Sequence, residues 1–232
     1  MDNLSRSGSR TDVFQNTFIA KVYGWMSIAL ALTGFTALWV ASTPVIRNAI
    51  FKNQILFWGL LIGELILVFA ISGAIRKMSA STAVFLFLLY SVINGFTMSF
   101  IFLVYTATSI ATTFFITAGT FAIMSVYGFM TKTDLTKVGN LLFMVLIGII
   151  IAAVVNIFLK STTLNWIITI AGIIVFVGLI AYDTQKIKQM SQAGLDQETE
   201  KKLSVIGALS LYLDFINLFL LLLNLFGGGR RE

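Results

Sequence analysis

Neither cysteine nor histidine occurs among the 232 residues. The first absence removes disulfide frameworks, thiolate nucleophiles, iron–sulfur clusters and Cys-type zinc sites. The second removes Ser-His catalysis, His-ligated haem and imidazole-based metal sites. Proton sensing near neutral pH would therefore have to use carboxylates in perturbed surroundings. Charge is scarce too. Only 11% of residues are charged, with 16 basic and 10 acidic side chains, against about 25% in a soluble domain. So few charges cannot cover a globular surface, which excludes a water-soluble enzyme, a coiled coil and a disordered chain. Proline appears once, as Pro44 in the first loop, so no apolar segment carries a proline kink.

What remains is apolar: 58% of residues are hydrophobic, and the mean hydropathy is +0.93. A helix crosses the hydrocarbon core with roughly 20 apolar residues. Seven segments qualify, at 22–41, 55–75, 83–105, 111–130, 140–159, 164–182 and 204–226. The expected class is an all-α integral membrane protein with seven transmembrane helices, a cytoplasmic tail at 1–21 and a stub at 227–232. The first span is longer than a signal-peptide core, and Ala41-Ser42-Thr43 is a poor cleavage site, so the span is expected to be retained. With the N-terminus inside, the inner segments hold Arg6, Arg10, Lys21, Arg76, Lys77, Lys132, Lys137, Lys186, Lys188, Lys201 and Lys202. The outer ones hold only Arg47, Lys52, Lys160, Arg230 and Arg231. That asymmetry favours N-inside and C-outside. The net charge of +6 reflects these loop residues and not a stripe for nucleic acid.

Small residues at helical spacing suggest packing faces. Gly24, Ser27, Ala31 and Gly34 form a seam on span one, Gly59 and Gly63 on span two, and Gly148, Ala152 and Asn156 on span five. Span seven carries a polar seam, Gly207, Ser210, Asp214, Asn217 and Asn224, on an otherwise Leu-, Ile- and Phe-rich helix. A stripe with a carboxylate and amides cannot face lipid. Span seven is therefore expected at the centre, with six helices surrounding it.

Three acids lie in or beside spans: Glu64, Asp183 and Asp214. Each acid at mid-helix costs about 2.5–3.5 kcal/mol on insertion scales, so protonation, a basic partner or a bound cation must offset it. Spans six and seven are consecutive and antiparallel. Asp183 and Asp214 are thus expected on neighbouring helices, near enough to titrate as a unit. The plain alternative makes Asp183 an interfacial acid and Asp214 a static hydrogen-bonding one. Glu64 has no evident partner at its depth. Arg76, about 18 Å further along the same helix, is too far from Glu64. It lies on the same side as Asp183, where it could restrain the ionised pair.

The segments 178–185, Gly-Leu-Ile-Ala-Tyr-Asp-Thr-Gln, and 210–219, Ser-Leu-Tyr-Leu-Asp-Phe-Ile-Asn-Leu-Phe, resemble the two signatures of the transmembrane Bax-inhibitor-motif family. Val22-Tyr23-Gly24-Trp25-Met26 extends the likeness to span one. The resemblance implies six helices around a seventh, a bacterial inner-membrane location and a pH-sensitive calcium leak. By matching motifs the controlling acids would be Asp183 and Asp214, and the family's arginine latch would fall on Arg76; Tyr182, Ser210, Asn217 and Glu64 are expected as supporting residues. Calcium and protons would be the passengers, and no cofactor is expected. Some bacterial relatives are instead linked to membrane proteases, which would imply a non-conducting regulatory protein with a membrane-protein partner. An intramembrane aspartyl protease fits less well, since Asp214 follows Leu211-Tyr212-Leu213 and not Gly-x-Gly, and no second proline is present. A retinal protein would need a lysine in span seven, which has none, and no phosphate-binding glycine loop points to ATP.

Overall fold

Polar caps mark where the apolar helices begin. In the computed structural model, which describes residues 2–192 and 196–229 and side chains from Asn16 onward, nine α-helices run in order among the described residues. They are α1 (Asp2–Ser42), α2 (Pro44–Lys52), α3 (Gln54–Ala74), α4 (Ala80–Met98), α5 (Ile101–Val104), α6 (Ala107–Met130), α7 (Thr136–Leu159), α8 (Thr162–Ser191) and α9 (Gln197–Phe226). The Arg6 and Arg10 side chains and the whole of Arg230 and Arg231 lie outside the described residues. The Asn53 side chain accepts from the amides of Ile55 and Leu56, Ser79 from Thr82, Thr106 from Ser109 and Asp196 from Thr199. Each cap satisfies amides that the first helical turn leaves unpaired.

Seven helical stretches are long and apolar enough to cross a membrane: Asn16–Ser42, Gln54–Lys77, Ala80–Val104, Ala107–Met130, Thr136–Leu159, Thr162–Ser191 and Gln197–Phe226. All seven expected spans are present, so the protein is an all-α membrane protein. The last two are longer than their apolar cores suggested. At 30 residues each they reach about 45 Å, well beyond a hydrocarbon core of about 30 Å. Asp183 therefore does not close its span; α8 continues to Ser191. Burial sorts the helices. No residue in the apolar window of α7 is buried, whereas 67% of the α9 window is.

The chain divides into two compact units, Met1–Val104 with Gln189–Tyr212, and Tyr105–Lys188 with Leu213–Glu232. In the first, α1 packs on α4, with Thr33 Oγ1 2.9 Å from the Ser91 carbonyl. In the second, Phe114 and Phe121 of α6 meet Phe215 of α9 edge-on at 5.5 and 5.6 Å between ring centres. Gly228 there donates to Ser109 Oγ and accepts from the Thr106 amide.

The small-residue seams do not face inward. Gly24, Ser27, Ala31 and Gly34 are all exposed, and α1 buries Phe18, Val22, Met26, Ala29, Thr33, Ala37 and Val40 instead. Gly59 and Gly148 are exposed with no atom near an added Cβ, and Gly63, Ala152 and Asn156 are half-buried. In lipid an apolar face gains nothing by leaving hydrocarbon, so packing goes to the face with matching volumes and hydrogen bonds. The polar seam of α9 holds at Gly207 and Asp214, which are buried, while Ser210 and Asn217 are half-buried. Asn224 is exposed, two residues from the helix end.

Candidate functional site

Within the second unit, α8 is gripped immediately before Asp183. A Cβ at Gly128 of α6 would collide with the Ala181 carbonyl, and one at Gly139 of α7 with the Tyr182 ring. Only glycine allows the helices to approach so closely. One turn further on, the buried Gln185 side chain uses both ends. Its Oε1 accepts from the Leu135 amide and its Nε2 donates to the Thr133 carbonyl, each at 2.8 Å. Lys188 donates to the Phe129 carbonyl at 2.7 Å. These contacts tie the α6–α7 connection to α8 and fix the turn that carries Asp183.

The carboxyls of Asp183 and Asp214, on α8 and α9, are close neighbours. Only 5% of Asp183 and 4% of Asp214 is exposed, so water is largely excluded from both. Ionised carboxylates are acceptors only, so a direct hydrogen bond between the two groups would need a proton on one of them. Lys186, one turn along α8 from Asp183, lies 5.8 Å from the centre of the Tyr182 ring. Asp214 Oδ2 is buried without a hydrogen-bond partner, a state shared among the described residues only by Ser125 Oγ. Among those residues no group of three or more Asp, Glu, His or Cys side chains gathers in metal-binding fashion. Any cation at the pair would meet two carboxyls and neutral oxygens.

The remaining expected residues are placed differently. Tyr182 packs edge-on against Phe143 at 6.0 Å. Asn217 turns its amide back to the Leu213 carbonyl of its own helix at 2.8 Å. Glu64 and Arg76 belong to the first unit. The expectation that Glu64 lacks a partner is wrong. Its Oε1 accepts from Thr97 Oγ1 at 2.6 Å, and its Oε2 from Asn94 Nδ2 at 3.3 Å. Asn94 Oδ1 in turn accepts from the Tyr212 hydroxyl at 3.0 Å, which lies 2.7 Å from Thr33 Oγ1. Four helices, α1, α3, α4 and α9, thus meet in one hydrogen-bonded chain. Arg76 is exposed in a single 3₁₀ turn, 75–77, after α3.

Residues 15–231 match the protein family described as Inhibitor of apoptosis-promoting Bax1. The chain belongs to the Bax inhibitor family. It is 50% identical over 234 residues to the inner membrane protein YbhL of Escherichia coli (strain K12), an alignment covering 99% of this chain and 100% of YbhL. An uncharacterized protein of Borreliella burgdorferi is 48% identical over 221 residues, 95% of each chain. The uncharacterized protein RP147 of Rickettsia prowazekii is 43% identical over 221 residues, covering 93% of this chain and 90% of its own. Kinship with an inner membrane protein and seven apolar spans make this member of the family a multi-pass inner-membrane protein.

Several residues of this Bax inhibitor family protein gain a role only from the geometry: Gly128, Gly139, Gln185, Asn94 and Thr97. Gln185 stands two places after Asp183, inside the motif but past the apolar stretch 164–182, so only the length of α8 shows that its amide must find partners. Asn94 and Thr97, one helical turn apart on span three, do carry a signal, because polar groups within an apolar span must find partners. For the two glycines no such signal exists, since the exposed Gly24 and Gly148 look the same in sequence.

Proposed function

We propose that this Bax inhibitor family protein is a passive, pH-sensitive cation leak, with calcium as the transported ion and the Asp183–Asp214 pair as its proton-controlled element. The reading is supported by two neighbouring carboxyls that are almost wholly buried. While the pair shares a proton it is compact. Removal of that proton leaves two like charges in contact, and at 4 Å with an effective dielectric of 20 their repulsion is about 4 kcal/mol. That is enough to shift a two-state equilibrium by roughly a thousandfold. A divalent cation is the natural replacement for the lost proton. The unpartnered Asp214 Oδ2 supplies an oxygen ready to receive one. Calcium favours six to eight oxygen ligands, so two acids with the Asn217 amide oxygen make a weak, transient site, as conduction requires. The protein acts without catalysis in this reading, and the basic-residue asymmetry sets its N-terminus inside and C-terminus outside.

Calcium flux in proteoliposomes of the purified protein between pH 6 and 8 tests this. The wild type is expected to leak with a rate that changes across that range. Asp183→Asn and Asp214→Asn are each expected to leave a rate that no longer follows pH. Charge reversal in Arg76→Glu should alter the rate in the same assay. A silent wild type would overturn the leak and favour the non-conducting, partner-binding role.

A further inference from the structure

We propose that a cavity where Lys21 of α1 meets the first turns of α4 and α9 binds one anionic phospholipid. The cavity measures about 610 Å³ and lies wholly in the first unit. Its lining includes Lys21 and Trp25 of α1, Val84, Phe85 and Leu88 of α4, and Lys201 of α9. Two ties bring the three helices together here. Lys21 Nζ pairs with Glu200 at 2.6 Å, and the Ala80 amide at the start of α4 donates to Glu198 at 2.7 Å. The charged residues therefore form the mouth of the cavity. Trp25, Val84, Phe85 and Leu88 stand one to two turns deeper along their helices, within the apolar spans. A charged mouth above an apolar wall matches a lipid headgroup above its acyl chain.

The sign of the charge selects the headgroup. Glu200 is matched by Lys21, and Glu198 by the Ala80 amide and by Lys202 at 3.7 Å. Lys201 lines the cavity, is exposed and belongs to neither of the two ion pairs found among the described residues. It is the surplus cation at the mouth. A phosphodiester with no cation of its own satisfies it, whereas a zwitterionic headgroup sets an ammonium beside it. Basic pockets between transmembrane helices at the membrane surface hold anionic headgroups in this way, and each lysine contributes about fivefold in affinity. The apolar wall argues against a soluble anion, which would use the mouth and leave Phe85, 63% exposed, uncovered.

Trp25 is also the reporter. The full-length chain with Trp39→Phe, Trp58→Phe and Trp166→Phe keeps Trp25 as its only indole. In phosphatidylcholine vesicles, its fluorescence is compared when dibrominated phosphatidylglycerol or dibrominated phosphatidylcholine is added at equal mole fraction. The phosphatidylglycerol probe is expected to occupy the site about fivefold better. The preference should vanish in Lys201→Gln and persist in Lys201→Arg. Equal quenching by the two probes, or a preference that survives Lys201→Gln, overturns the proposal. So does a preference abolished by inorganic phosphate, which would identify a soluble anion as the occupant. Failure of either lipid to quench Trp25 would mean that protein covers the cavity, and would overturn it too.

Discussion

Gly139 of α7 lies so close to the Tyr182 ring of α8 that a Cβ there would overlap Cδ2 and Cε2. Asp183 is the next residue, so the glycine sets how near α7 stands to the helix that presents the acid pair. Gly139→Ala is expected to destabilise the protein by about 1–3 kcal/mol, the usual cost of overpacking. Gly148→Ala, on the same helix with open space around it, is expected to be neutral or to stabilise by up to about 1 kcal/mol, because alanine is the better helix former. Unfolding in detergent compares the two. Equal losses would show that close approach at Gly139 is unimportant.

Glu64 and Thr97 form the shortest link of the chain that joins α3 to α4. A single substitution of Glu64 mixes the lost bond with the relief of removing an acid from the membrane, so its sign is uninformative. A double-mutant cycle with Glu64→Gln and Thr97→Val isolates the pair. The coupling is expected at about 0.6 kcal/mol, and no more than about 1.7, as for other bonds between membrane helices. A value indistinguishable from zero would mean that the bond does not form in the folded protein.

Asp196 stands outside the spans, ahead of α9. The Thr199 hydroxyl and amide hydrogen-bond to its carboxylate and hold it below the usual aspartate range. Because the folded value is the lower one, this cap helps at any pH above the ordinary value of about 3.9. The help is lost as pH falls through the folded value. Hydrogen exchange of the Thr199 amide should therefore show more frequent opening in strongly acidic solution, beyond the intrinsic pH trend. Asp196→Asn should keep the cap and remove that extra dependence, and Asp196→Ala should open the first turn at every pH. An Asn variant that still follows pH would assign the effect to another group.

Seven spans were legible in the sequence because the bilayer imposes a length and a hydropathy that few other structures meet. The acids were legible for a related reason. In a chain with so few charges, Glu64, Asp183 and Asp214 stand out against their spans, and consecutive helices bring the latter two side by side. Helical spacing was less informative about orientation. Gly24, Ser27, Ala31 and Gly34 do share one face, but that face is exposed, and Glu64 was left without the partners it has.

The division follows from what each level of physics controls. The amino-acid order alone determined the class of protein, the number of crossings and which residues are costly to bury, since these depend on transfer from water to lipid. Tertiary structure alone decided which face of each helix meets another, that Glu64 ends a hydrogen-bonded chain from Tyr212 through Asn94, and that Gly128 and Gly139 are the glycines pressed against α8. Within lipid all apolar faces cost nearly the same, so fit between particular surfaces selects among them, and fit is a property of two helices that neither segment carries by itself.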